Sequence, residues 1–497
     1  MIEKRDRWSN RAAFVLAAIG SAAGLGNAWR FPYMAYSNGG GAFLIPYFIA
    51  LLTAGIPLIV LEFSMGQKTQ RGAPGALGKV ARKFEGFGWW AVISGTIITS
   101  YYAGVMAWAW DFLAGSFTLG WAEDAGAYFY EEVLQISSGP GDLGGFSTPV
   151  LIGLVITWVV IYFILRNGAQ SVGKVVLITV PLPIILMGIL LIRSVTLPGA
   201  IEGINYFLEP NFSMLTNLSV WIDAYSQVFF TLSLGFGIMI AYASYMPEDS
   251  DIINNALITV FANSGISFMA GIAVFGTLGY MAQTQGVPIS EVATAGVGLA
   301  FVVYPNAISL LPGGAFVVGL FGFVFFAMLL SLGIDSAFSI VEAGVAGIKD
   351  KFGGKKRTVT LYYSLFLFVV GLLFATRAGL YWLDIVDHYV NTYGLVVAGL
   401  AESIIIGWYY KPKELRGYFN SVSEYQFGSW WDVMIKYVTP IVLVVLLVSE
   451  LFKDITANYG GYEFKYLLYG GWIGVIGLLI VASFVLSRQR GLDDTDV

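Results

Sequence analysis

Apolar stretches of about 20 residues or more follow one another from end to end of this chain, each long enough to cross a hydrocarbon layer roughly 30 Å thick. Charged or turn-rich breaks divide them into about twelve helices, starting near residues 11, 41, 87, 148, 172, 220, 254, 316, 356, 380, 431 and 464. The fold class that follows is an all-α polytopic membrane protein. The 497 residues then leave no room for a large soluble domain, which agrees with 57% hydrophobic and only 12% charged residues and a mean hydropathy of +0.73. Cysteine is absent, which excludes disulfides, thiolate metal sites and cysteine nucleophiles, and the one histidine, His388, argues against histidine-based zinc chemistry. No paired catalytic acids, serine-base constellation or metal motif points to an enzyme.

Charge sets the orientation. Lys4, Arg5, Arg7 and Arg11 precede the first apolar run, but no small-residue cleavage site follows a short apolar core, so the run is expected to be an uncleaved first span. With the N-terminus inside, most basic residues, among them Lys68, Arg71, Lys79, Arg82, Lys83, Lys349, Lys351, Arg416 and Lys436, fall on the cytoplasmic side. Only Arg193, Arg377, Lys453 and Lys465 fall outside. A multi-pass protein of the cell membrane with both termini cytoplasmic is expected.

Two spans look broken. Span 1 carries Gly20-Ser21-Ala22-Ala23-Gly24-Leu25-Gly26-Asn27, and span 6 carries Thr231-Leu232-Ser233-Leu234-Gly235-Phe236-Gly237, both at mid-depth. Glycine costs roughly 1 kcal/mol relative to alanine inside a helix, and irregular backbone at membrane depth persists where it lines a cavity or packs in protein. Close helix packing through small residues would explain one such segment. Two of them, five spans apart, form the pattern of inverted repeats around a central binding site, where half-helix amides hold a carboxylate and freed carbonyls hold a cation.

The run Gly24-Leu25-Gly26-Asn27-Ala28-Trp29-Arg30-Phe31-Pro32-Tyr33, followed by Asn38-Gly39-Gly40-Gly41-Ala42-Phe43, resembles the signature of the neurotransmitter:sodium symporter family, and Gln227 to Gly237, Tyr242-Ala243-Ser244-Tyr245 and Leu332-Gly333-Ile334-Asp335-Ser336 extend the resemblance over the whole chain. It implies a LeuT-type fold with a 5+5 inverted repeat and broken helices 1 and 6. The expected organisation is a cytoplasmic segment 1–10, a first repeat 11–195, an extracellular connection 196–219, a second repeat 220–412, two further spans in 413–487 and a cytoplasmic tail 488–497.

The resemblance also implies ligand sets. Two sodium ions, hard cations that take oxygen ligands, would sit among the Ala22 carbonyl, Asn27, Thr231, Asn263 and the substrate carboxylate, and among Gly20, Ala23, Leu332, Asp335 and Ser336. Asp335 stands where the bacterial leucine transporter has threonine and agrees with animal members. Chloride is expected among Tyr47, Gln227, Thr231, Asn263 and Ser267, because an acidic residue takes the place of Ser267 in chloride-independent bacterial relatives. The substrate pocket would comprise Ala22, Gly24, Gly26, Ile98, Tyr102, Phe230, Ser233, Phe236, Ser336 and Ile340. Glycine at 24, where monoamine transporters carry aspartate, implies a substrate with its own carboxylate. The apolar wall implies a neutral side chain, and Ile98, bulkier than the valine of the leucine carrier, a small one. Arg30 with Asp387 would close the outer gate over a lid of Phe230 and Tyr102, and Arg5 with Asp350, flanked by Trp8 and Tyr245, the inner one. Hydrated pairs of this kind are worth about 0 to 1 kcal/mol. Glu62, Glu402 and Asp223 are further acids within spans, without a ligand role, and His388 receives none.

The implied activity is sodium-coupled, chloride-dependent import of a small neutral amino acid by alternating access. A LeuT-fold carrier of another small solute, or an amino-acid-binding sensor that does not translocate, are the alternatives. The bilayer and the substrate are the expected partners, with no nucleic acid and no obligate protein partner.

Overall fold

The computed structural model describes residues 5–293 and 296–491, so residues 1–4 of the expected N-terminal segment and 492–497 of the expected tail lie outside the described residues. Among the described residues the structure is helical, with one isolated extended pairing between Phe146 and Thr376. Ten helices are long and apolar enough to cross a membrane: span 2 (Gly40–Thr69), span 3 (Arg82–Thr118), span 4 (Thr148–Leu165), span 5 (Ala169–Val195), span 7 (Ile252–Gln285), span 8 (Gly314–Phe352), span 9 (Lys356–Ala375), span 10 (Gly379–Tyr410), span 11 (Trp430–Gly461) and span 12 (Phe464–Arg488). Spans 1 and 6 complete the expected twelve as broken helices, Arg11–Ala22 with Leu25–Ala28 and Arg30–Ser37, and Leu218–Thr231 with Ile238–Ala243. The largest departure from the expected starts is at span 3, expected near 87 and beginning at Arg82.

Burial separates a centre from a rim. Within the apolar part of span 3, 83% of residues are buried, against 28% in spans 5, 11 and 12. The rim exposes Phe316, Ile192, Ile455 and many other large apolar side chains, a surface suited to lipid.

The breaks have local causes. Asn10 caps the start of span 1 by accepting the Ala13 N–H at 2.9 Å, and the first half ends at Ala22. The Gly24 amide, which a continuous helix would give to Gly20, goes instead to the Ala22 carbonyl and the Asn27 side chain, each at 3.0 Å. Span 6 ends its first half at Thr231 and runs through Ser233 (φ +53°), Gly235 (φ +76°) and Gly237 (φ +71°) before restarting at Ile238. A left-handed serine is strained. It is held by its hydroxyl, which donates to the Ser21 carbonyl at 3.0 Å, so one break is fastened to the other. Glu62 of span 2 accepts the Gly235 N–H at 2.9 Å and holds the same segment from the other side.

Two connections hold structure that was not expected. The stretch read as a plain connection contains the helix Ala200–Leu208, seated on span 7 where a Cβ on Gly203 would lie 1.9 Å from the Phe275 carbonyl. Short helical turns occupy Gly296–Ser309 between spans 7 and 8.

Candidate functional site

A cavity of ≈ 720 Å³ reaches the two breaks from one face of the molecule. Its mouth is set by Tyr381, Asp384, His388, Tyr459 and Tyr462, and its floor by Ala22, Gly24, Phe236, Ser336 and Ile340. All ten residues expected in the substrate pocket line it, Gly26, Ile98, Tyr102, Phe230 and Ser233 among them. Two glycines at the base make the space. A Cβ on Gly24 would lie 2.7 Å from Ser336 Oγ and 3.4 Å from Tyr102 Oη, and one on Gly26 would lie 2.8 Å from the Phe230 ring. The Leu25 amide, at the restart of the helix, donates to Tyr102 Oη at 3.4 Å, which brings an amide and a phenol to the same spot. Such a pair suits a carboxylate.

Buried polar oxygens and amides cluster on either side of the floor. On one side Asn27 Nδ2 donates to Asn263 Oδ1 at 2.8 Å and Ser267 Oγ at 2.7 Å, and Asn263 Nδ2 donates to Thr231 Oγ1 at 3.1 Å. Spans 1, 6 and 7 meet there. Gln227 is fully buried in the preceding turns of span 6, and neither polar atom of its side chain has a hydrogen-bond partner. Tyr47 turns its hydroxyl to Ser264, at 3.1 Å, and not to Ser267. Among the described residues no carboxylate is hydrogen-bonded to Tyr47, Gln227, Thr231, Asn263 or Ser267. Unpartnered buried groups are rare in native structures, and a Gln amide N–H can donate to an anion.

On the other side Asp335, 2% exposed, receives a hydrogen bond from Thr179 Oγ1 at 2.6 Å. Its second oxygen faces span 1 so closely that a Cβ on Gly20 would lie 2.9 Å away. Ser336 Oγ donates to the Ser21 carbonyl at 3.2 Å, and Ser21 Oγ meets Ser339 Oγ at 2.8 Å. No basic side chain forms an ion pair with Asp335 among the described residues. A carboxylate within a span costs several kcal/mol when unpaired, and the neighbouring carbonyls and hydroxyls are ligands for a hard cation. Thr179 was not anticipated. It lies at the interruption of span 5 just before Pro181, and only the fold places it beside span 8.

The two ends of the molecule differ. At the face gathering the basic loops, Arg5 pairs with Asp350 and donates to Ser244 Oγ at 2.5 Å, while Asp350 also accepts the Gly72 amide at 2.7 Å and lies 3.9 Å from Arg71. Trp8 is buried beneath, its Nε1 donating to the Tyr242 carbonyl at 2.8 Å, and Tyr245 Oη donates to Glu342 at 2.5 Å. The pair was expected to be hydrated. Instead the Arg5 and Asp350 side chains are only 16% and 8% exposed, because Trp8 and the connection after span 2 cover them. At the opposite face the expected pair of Arg30 and Asp387 is not formed. Arg30 donates to Ser226 Oγ at 3.2 Å and lies over the Phe230 ring at 4.6 Å, and Asp387 accepts Tyr101 Oη at 2.5 Å and Asn391 Nδ2 at 2.7 Å. The mouth of the cavity lies between them, and no ring contact joins Phe230 to Tyr102 among the described residues. The molecule is thus sealed at the basic face and open at the other.

His388 has a place in that mouth. It stacks on Tyr459 with ring centroids 3.7 Å apart, and its Nε2 lies 2.9 Å from Asp454. Tyr459 and Tyr462 both donate to Asp384, at 3.0 and 2.9 Å. These partners come from span 11 and the connection after it, a proximity that no local motif encodes.

The whole chain has relatives. It matches the Sodium:neurotransmitter symporter family over residues 5–126 and 122–488. It is 46% identical to an uncharacterized sodium-dependent transporter of Methanocaldococcus jannaschii, covering 98% of each chain. It is 36% identical to the sodium- and chloride-dependent GABA transporter 2 of Bos taurus over 98% of this chain and 88% of the relative. It is 34% identical to the sodium-dependent dopamine transporter of Caenorhabditis elegans over 97% and 86%. A helical membrane fold, two broken spans around a cavity and these full-length matches lead to one assignment: the chain belongs to the sodium:neurotransmitter symporter family, as a multi-pass membrane transporter and not an enzyme.

Proposed function

We propose that the chain imports a small neutral amino acid, driven by two sodium ions and requiring chloride. The observation that carries the amino-acid assignment is the base of the cavity. Gly24 leaves no room for a side chain beside Ser336 and Tyr102, so no protein carboxylate meets an amine there, and the Leu25 amide with Tyr102 Oη suits the carboxylate of the cargo. Ile98, Phe230, Phe236 and Ile340 form an uncharged wall for the side chain. In this reading the first sodium is held by the Ala22 carbonyl, Asn27, Thr231, Asn263 and the substrate carboxylate, the second by Gly20, Ala23, Leu332, Asp335 and Ser336. Chloride binds among Tyr47, Gln227, Thr231, Asn263 and Ser267, supplying the negative charge that this group of side chains lacks.

The basic face is cytoplasmic by the positive-inside rule, so the cavity opens outward. Sodium and substrate together favour closure of Arg30 on Asp387, and release of Arg5 from Asp350 then opens the inner side. The relatives named as GABA transporters favour a second reading, in which the cargo is an amino acid with a more distant amine.

Uptake into proteoliposomes decides between these. Sodium-dependent accumulation of alanine or glycine is expected, with GABA and dopamine carried poorly. Accumulation of GABA alone selects the second reading, and transport of dopamine without any amino acid overturns both. Replacing chloride by gluconate is expected to abolish uptake, and Ser267→Glu to restore it. Unchanged uptake in gluconate removes chloride from the mechanism.

A further inference from the structure

A second cavity lies on the lipid-facing rim at the basic face, between spans 10 and 11. It is a groove of ≈ 570 Å³ that shares no lining residue with the central cavity. Its origin is in the backbone. Both helices widen to π turns at facing levels, Ile405–Tyr410 and Met434–Val438, a feature that often marks functional positions. They come so close at Gly407 that a Cβ there would lie 3.0 Å from Lys436 Cα. Side chains at this crossing are therefore forced outward, and Trp408, Tyr409 and Tyr437 stand 56%, 58% and 44% exposed.

The groove has two chemically distinct ends. Ile404, Pro440 and Ile441 form an apolar end towards the middle of the spans. At the other end Lys436 Nζ lies 4.6 Å above the Trp408 ring, and just beyond the lining Lys83 Nζ of span 3 lies 4.8 Å above the ring of Tyr409, which lines the groove. Neither lysine has a carboxylate partner among the described residues. The nearby acids are engaged elsewhere, Asp432 with Arg416 at 3.1 Å and Glu85 with Lys351 at 2.5 Å. A lysine held against a ring face still presents N–H donors away from the ring, and Trp and Tyr rings settle at the headgroup level of a bilayer.

We propose that this groove is a binding site for an acidic phospholipid, its phosphate and anionic headgroup held between Lys436 and Lys83 and one acyl chain lying along Ile404 and Ile441. The two-ended lining fits an amphiphile, and two uncompensated ammonium groups fit a net negative headgroup better than a zwitterionic one. The site is independent of which solute the central cavity carries.

The full-length chain, reconstituted in vesicles, tests this by fluorescence quenching with brominated acyl chains, Trp408→Phe supplying the background to subtract. Brominated phosphatidylglycerol is expected to quench Trp408 more strongly than brominated phosphatidylcholine. The preference should fall about fivefold for each of Lys436→Gln and Lys83→Gln and survive Lys436→Arg. Native mass spectrometry should show phosphatidylglycerol retained on the wild-type chain and lost from the double glutamine variant. Equal quenching by the two lipids, or a preference unchanged in the double variant, overturns the proposal. A second copy of the chain cross-linked through Trp408 would also overturn it, by making the groove a subunit interface.

Discussion

Gly24 and Asp335 occupy neighbouring helices and constrain the site in opposite ways, one by having no side chain and the other by carrying a charge. A methyl group at 24 would press on Ser336 Oγ at 2.7 Å, an overpacking worth about 1 to 3 kcal/mol. Gly24→Ala is accordingly expected to weaken substrate binding about tenfold or more while leaving the folded protein intact. Substrate-induced thermal shift measured beside the unliganded melting temperature separates the two effects, and full affinity in the variant would refute the packing argument. Asp335→Asn retains the shape and the Thr179 contact but removes the charge. The sodium concentration for half-maximal uptake should rise at least about tenfold, and an unaltered sodium dependence would show that no cation relies on Asp335. The ten residues expected in the pocket, all of which line the cavity, could be named from the chain chiefly because it resembles a known family at those positions; on side-chain type alone Ile98, Tyr102, Phe230 and Ile340 read as ordinary helix packing. Thr179, Ser264, Asp384 and Tyr459 could not, because their relevance comes from partners far away in sequence.

The two broken helices are the elements that most shape the site, and each is a compromise between strain and fastening. Ser233 pays for its left-handed backbone with a bond to Ser21, and Gly235 can turn beside the Leu395 carbonyl because it has no Cβ. At Gly235 an added Cβ would approach that carbonyl to 2.7 Å at φ +76°. Gly235→Ala should therefore lower stability by about 2 kcal/mol and abolish uptake, as read by chemical denaturation in detergent and by flux. A variant with wild-type stability and transport would mean that the segment is free to rewind. The breaks were legible because glycine and hydroxyl residues crowd mid-depth in otherwise apolar runs, and the long spans because their hydropathy is continuous. The helices Ala200–Leu208 and Gly296–Ser309 were not, since segments this short carry little pattern and owe their form to the spans beneath them.

For the molecule as a whole, the decisive property is asymmetry between its faces. The natural absence of cysteine makes that asymmetry measurable with single introduced thiols. Thr392→Cys lines the open cavity and should react rapidly with a membrane-impermeant reagent, whereas Ser244→Cys, buried beneath Arg5, should be protected. Removing one partner of the covered Arg5 and Asp350 pair forfeits roughly 3 kcal/mol, so Asp350→Ala should speed labelling of Ser244→Cys and slow that of Thr392→Cys. Labelling rates indifferent to Asp350 would exclude the pair as a seal. Both pairs expected as gates are written in one sequence, but a conformation open at one face holds the pair at that face apart. That is why Arg30 and Asp387 could be named from the chain while their separation could not.

The basic-face seal also differs in kind from everything around it. Residues 5–8 are not helical, and they are fixed by the side chains of Arg5, Arg7 and Trp8 and a single backbone bond, from the Trp8 amide to the Tyr245 carbonyl at 3.3 Å, rather than by a backbone ladder. A stopper of this sort comes away by fraying, one side chain at a time, and it can be tugged from outside. How firmly it stays seated is then set by how many of these few contacts hold at once, not by the stability of a helix.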